Sequence, residues 1–186
     1  MDGRGGGGGA WGAGAGAAAG GVRRGAPPLL GRLWLMPTLH ALRQRHAGLV
    51  FDIEFTTRAS ELVAEGVDLA LRVGALPARA EWVARRLGRQ PTVLVAAPVY
   101  LQGHGLPAAA ADLHAHTCLL QSRAGGWPWL SQPLQAREQI ALGDSAALCE
   151  AALAGQGIAL LPEWLAAEHL QSGALRPVLA RERPPV

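Results

Sequence analysis

Short apolar runs and apolar stripes at helical spacing take turns along most of the chain. In residues 33–46, Leu35, Leu39 and Leu42 recur at a helical interval, and Pro37 sets the start of the main helix near Met36, because proline fits only a first turn. Gly48 ends that helix, and residues 49–55 read as a strand followed by Thr56, Thr57 and Arg58. Thr57 suits the cap of a helix over residues 59–65, stopped at Gly66. Residues 67–73 are apolar on both alternating faces, as a parallel strand covered by helices would be, with Arg72 and Gly74 at the carboxyl end. A second apolar run, residues 93–97, is closed by Pro98. A turn-rich loop at 102–107 and a short helix at 108–114 follow, then a strand ending in Leu119, Leu120 and Gln121. Residues 139–142 form a short strand, and Asp144 or Ser145 caps a helix over 146–154 that Gly155 stops. Residues 158–161 are a strand, Pro162 starts a helix over 163–171 stopped by Gly173, and 175–179 are the last strand. This alternation predicts the α/β class with mainly parallel sheets. In such sheets ligands bind outside the carboxyl ends of the strands.

Composition changes this picture only at the amino terminus. Residues 1–21 are a Gly/Ala-rich, low-complexity segment, which reads as disordered because it has too little apolar surface to offset its ordering entropy. A chain of 186 residues, 49% hydrophobic, is long enough for a substantial core in one domain or two small lobes. No uncharged apolar run is long enough to suggest a membrane span, and residues 1–21 lack the apolar centre of a signal peptide. The net charge is +3, and all 17 basic residues are scattered arginines, so charge alone does not argue for contact with DNA.

Cys118 and Cys149 match no metal or redox spacing and read as small buried residues in a reduced, cytoplasmic compartment. His114, His116 and Cys118 alternate, and on a strand they would share a face like metal ligands. No fourth ligand is near, so buried, hydrogen-bonded histidines are the preferred reading and no metal or cofactor is assigned. No nucleophile–base pair, phosphate loop or dinucleotide fingerprint is present, and no enzymatic reaction is assigned. The run Gly125-Gly126-Trp127-Pro128-Trp129 reads either as the lining of a cleft or as packing beneath a loop.

Several short stretches, in order, carry a resemblance. They are Glu65-Gly66-Val67-Asp68-Leu69-Ala70-Leu71-Arg72-Val73-Gly74, then Ala84-Arg85-Arg86-Leu87-Gly88, then Val93-Leu94-Val95-Ala96-Ala97-Pro98-Val99-Tyr100-Leu101. Gly103-His104-Gly105-Leu106-Pro107, Asp112-Leu113 with His116 and Cys118-Leu119, and Ala152-Leu153-Ala154-Gly155-Gln156-Gly157-Ile158-Ala159-Leu160-Leu161-Pro162 continue it. Together they resemble the effector-binding domain of LysR-type transcriptional regulators. The resemblance implies two Rossmann-like lobes with a ligand cleft, as in type 2 periplasmic binding proteins, lobe I over residues 22–90 and lobe II over 91–186. It implies effector contacts at Ala26 and Pro27, at Thr56 and Thr57, at Arg72, Val73 and Gly74, and at Leu120, Gln121 and Ser122. Thr57 reads equally as a helix cap alone. The ligand implied is a small organic anion, and the assembly a homodimer pairing the Leu35, Leu39, Leu42 stripe with the helix at 146–154.

The sequence departs from the family pattern in three places. Val22-Arg23-Arg24 stands where an apolar first strand is usual, and Gly25 replaces a serine before Ala26-Pro27. Nothing resembles the family's helix-turn-helix, so DNA contact is expected only through that missing part. The chain stops at Pro184-Pro185-Val186, where a return to lobe I would begin, and so reads as truncated. The other readings kept open are a periplasmic-type solute-binding protein and a non-functional remnant.

Overall fold

The structure is a computed structural model that describes residues 20–56, 67–74, 83–122, 127, 130 and 133–180. The chain divides into two units, Met1–Ala26 with Gly31–Leu71, and Pro27–Leu30 with Arg72–Val186.

The first unit is built on a three-stranded parallel sheet with order β2-β1-β3, from β1 (Gly20–Ala26), β2 (Leu49–Phe55) and β3 (Leu69–Ala70). β1 is central and pairs over its whole length with β2, from Gly20↔Leu49 to Ala26↔Phe55. The expectation of a degraded first strand is thus corrected: Arg23 and Arg24 take full part in the ladder, because pairing uses backbone groups that arginine has like any residue. β1 also begins at Gly20, inside the segment read as disordered; residues 1–19 lie outside the described ones. A helical run follows β1: α1 (Pro28–Leu30), a π-helical stretch (Gly31–Leu35) and α2 (Met36–Arg45). α2 starts at Met36 with proline in its first turn, as the sequence predicts. The glycine at the preceding turn is needed for space, since a Cβ on Gly31 would come within 2.5 Å of the Phe55 ring.

β3 is shorter than expected. Only Leu69 and Ala70 pair, with β1 alone, and both are exposed. The apolar run at 67–73 is therefore an edge and not a covered interior strand among the described residues; it lacks a partner on its second side. The helix expected at 59–65, and its stop at Gly66, lie outside the described residues.

The second unit has a five-stranded sheet with order β6-β5-β7-β4-β8: β4 (Thr92–Ala96), β5 (Thr117–Leu120), β6 (Glu138–Ala141), β7 (Ile158–Pro162) and β8 (Arg176–Pro177). β5 runs parallel to both β6 and β7, while β4 runs antiparallel to its neighbours β7 and β8, so the sheet is mixed, with β4 the one strand reversed against the other four. Pro98 does not simply close β4. It opens α3 (Pro98–His104), occupying the first turn where a missing N–H costs nothing. A 3₁₀ helix (Ala110–Ala115) leads into β5. α4 (Ser145–Leu153) is capped by Asp144, whose Oδ2 accepts from the Ala147 N–H at 3.4 Å. α5 (Glu163–Ser172) ends at Gly173, left-handed at φ +75°.

The core sits on the two faces of this sheet. One cluster joins Val95, Leu119, Ala159 and Leu161 to Leu148, Ala152 and Ala166 of the helices. The other joins Leu94, Cys118, Leu120 and Ile158 to Tyr100, Leu113, Trp127 and Val178. Both cysteines are buried and free, as the sequence suggests. Burial pushes the Cys118 thiol up to about 12. Trp127 takes the packing alternative, with only 4% of its surface exposed, while Trp129 lies outside the described residues.

Two glycines test this packing in opposite directions. A Cβ on Gly157 would meet the Thr117 carbonyl oxygen at 2.6 Å, so Gly157→Ala should lower the urea unfolding free energy by about 1–3 kcal/mol. Gly103 lies inside α3 with open space where its Cβ would be, so Gly103→Ala should raise it by about 0.5–1 kcal/mol.

Candidate functional site

Parallel pairing puts the carboxyl ends of β1, β2 and β3 on one edge of the first sheet. The Thr56 N–H donates to the Ala26 carbonyl at 2.9 Å, and the Leu71 N–H to the Gly25 carbonyl at 2.8 Å. Thus Ala26 and Thr56, expected from the sequence to contact a ligand, are directly joined, and Leu71, the residue before Arg72, is joined to Gly25. The Ala26 side chain is fully buried, so this residue presents backbone only. Pro27, Thr56 and Arg72 are half-buried, and Val73 and Gly74 are exposed. Gly74 has φ +93°, a conformation that suits glycine at the end of this strand. Thr57 lies outside the described residues.

In the second unit the carboxyl ends of β5 and β6 stand side by side. The Leu142 N–H donates to the Leu120 carbonyl and the Gly143 N–H to the Gln121 carbonyl, both at 3.0 Å. Leu120 is fully buried in the core cluster containing Cys118 and Ile158, so its side chain does not face solvent. Gln121 and Ser122 are exposed. Sequence reasoning did not name Leu142 and Gly143 as neighbours of Gln121, since only the β5–β6 pairing brings them there. The available signal was the turn Gly143-Asp144-Ser145, whose glycine has φ +71°.

The metal alternative finds no common face. His114 is exposed on the 3₁₀ helix, where its Nδ1–H donates to the Ala111 carbonyl at 2.6 Å, while His116 and Cys118 are buried. Among the described residues no three His, Cys, Asp or Glu side chains are grouped to hold a metal ion. No helix among them is long and apolar enough to cross a membrane.

A hollow of about 250 Å³ lies between α2 and β2, lined by Met36, Leu39, His40, Arg43, Val50 and Phe51 among others, with none of the expected ligand residues in its wall. Of the stripe Leu35, Leu39 and Leu42, Leu39 turns inward and is 1% exposed, while the other two are half-buried. On α4, Leu148, Cys149, Ala151 and Ala152 are likewise taken up by the core of their own unit.

Both units place polar residues just past the carboxyl ends of parallel strands, the position at which α/β sheets hold ligands. The LysR substrate binding domain matches residues 15–186, and the chain belongs to this family. Curated relatives include an uncharacterized HTH-type transcriptional regulator of Haemophilus influenzae, 30% identical over 82% of this chain and 55% of its own length. Another is the HTH-type transcriptional regulator DmlR of Escherichia coli, 31% identical over 80% of this chain and 51% of its own. The chain thus spans about half the length of the curated relatives it matches. Among solved structures, the regulatory domain of CrgA from Neisseria meningitidis shares the fold with a TM-score of 0.72 at 23% identity, covering 89% of this chain and 84% of that one. The effector domain of AmpR from Pseudomonas aeruginosa is similar with a TM-score of 0.64 at 30% identity, covering 87% of this chain and 79% of that one. The expected class, the α/β fold of LysR effector-binding domains, is therefore the one found.

The division between Leu120 and its neighbours can be measured. Leu120→Ala should cost about 2–5 kcal/mol in urea unfolding, as loss of a fully buried side chain does, whereas Gln121→Ala and Ser122→Ala should each change it by less than about 0.5 kcal/mol.

Proposed function

We propose that this chain is the effector-sensing part of a LysR-type transcriptional regulator. A small organic anion binds at the strand ends marked by Ala26, Pro27, Thr56, Thr57, Arg72, Val73, Gly74, Leu120, Gln121 and Ser122. The observation that carries this reading is the joining of Ala26 to Thr56 and of Gly25 to Leu71, which gathers three strand ends and leads directly into Arg72. Arg72 supplies a permanent positive charge there, and the helical run beginning at Pro28 adds backbone N–H groups, both of which favour a carboxylate. The ligand acts by binding two conformations unequally, since equal affinity would shift nothing. Control of transcription belongs to the whole regulator, and no DNA-reading element is assigned to these residues. No reaction is assigned either; the exposed polar groups bind and do not transfer. Assembly as a homodimer in the cytoplasm is part of the same reading. Leu39 turns inward, so the paired surface would use Leu35, Leu42 and the exposed Trp34 in place of the whole stripe.

A thermal-shift screen of small organic acids should find at least one that stabilises the chain, and Thr57→Val should then weaken its binding by about 1–2 kcal/mol through loss of one hydrogen bond. No stabilisation of a demonstrably folded chain by any acid would refute the sensor reading and favour a remnant. Sedimentation checks the assembly: Leu42→Asp should convert a dimer to a folded monomer, and identical sedimentation of both proteins would remove the homodimer from the proposal.

A further inference from the structure

Tyr100 and His116 are almost fully buried, 4% and 3% exposed, in the core cluster on one face of the second sheet. The Tyr100 hydroxyl oxygen accepts the N–H of Thr117, the first residue of β5, at 2.8 Å. His116 Nδ1 lies 3.3 Å from the same oxygen. A phenol has one proton, and the Thr117 N–H already occupies one lone pair of the oxygen. The hydroxyl proton can turn to His116 Nδ1, which leaves that nitrogen bare and the imidazole proton on Nε2, or to the Thr117 hydroxyl. With a proton on Nδ1, the Tyr100 oxygen would receive two donors and its own proton would have to turn to the Thr117 hydroxyl.

We propose that Tyr100 donates its proton to His116 and that the pair forms a proton-sensitive latch: neutral His116 holds α3 to the start of β5, and protonation of His116 releases the corner where β5 and β6 begin. The backbone of His116 explains why the corner moves with it. Its N–H donates to the Leu113 carbonyl at the end of the 3₁₀ helix, and its carbonyl accepts from the Arg137 N–H just before β6, both at 2.9 Å. Tyr100 is itself held in place, for the His104 ring stacks on it at 4.3 Å and 13°, and His104 Nδ1–H donates to the Tyr100 carbonyl at 3.0 Å.

The groups facing His116 act in one dominant direction. Burial weighs most against its charged form; His104 on α3, Arg137 before β6 and His114 on the 3₁₀ helix add repulsion, and Asp112 on that helix opposes them. Its pKa is held below the ordinary 6.5. A histidine depressed in the folded state contributes stability that is complete above the unfolded value and is lost as pH falls from 6.5 toward the folded value.

Nitrogen-15 NMR of the whole chain reads the latch directly. At neutral pH His116 should carry its proton on Nε2, and its titration midpoint should lie below 6.5. Tyr100→Phe removes the donor to Nδ1 and should raise that midpoint. Hydrogen exchange gives an independent readout. The protection of the Thr117 and Arg137 amides, corrected for intrinsic rates, should fall by up to tenfold per pH unit below pH 6.5 and become flat in His116→Gln. A proton on Nδ1, a midpoint at or above 6.5, or a midpoint unmoved by Tyr100→Phe would each overturn the latch, and so would unchanged pH dependence in His116→Gln. Should His116→Gln not fold, the tautomer and the Tyr100→Phe midpoint decide alone.

Discussion

The second unit depends on the burial of β5. All four of its residues, Thr117, Cys118, Leu119 and Leu120, are shielded from solvent, and both of its edges are paired in parallel. A strand in that position must satisfy every backbone group through its neighbours and fill space on both faces. β7 approaches so closely that only glycine fits at position 157, against the Thr117 carbonyl. Leu119 then belongs to one core cluster, Cys118 and Leu120 to the other, and the helices are arranged around those two faces. The exposed polar residues next to the strand are those just past its end, Gln121 and Ser122.

The first unit shows how little such shielding its own sheet receives among the described residues. β2 alternates half-buried and exposed positions, β3 is exposed at both residues, and Val50 and Leu69 leave half or more of their surface open.

The sequence made visible what is decided locally. β2, β7, the start of α2 at Met36, a cap at Asp144 or Ser145 and the Gly173 stop all depend on residues within a turn of one another, and each was readable, the structure choosing Asp144 for the cap. What depends on partners distant in the chain was not. The antiparallel place of β4 is set by β7 and β8; the shortness of β3 by a single-sided pairing; the soundness of β1 by backbone ladders indifferent to Arg23 and Arg24. Pro98 misled for another reason, since proline both ends strands and begins helices. At the candidate site, Gln121 and Ser122 came from the family resemblance and not from any local pattern. Leu142 and Gly143 escaped because strand order alone makes them neighbours.

The mixed sheet also has a temporal side. β4 is made early, but the strands on its two edges, β7 and β8, lie far toward the other terminus. During synthesis Val93, Leu94 and Val95 therefore leave the ribosome with no strand to pair with until most of the unit has followed. An apolar segment waiting in that way is open to association with other chains until β7 arrives.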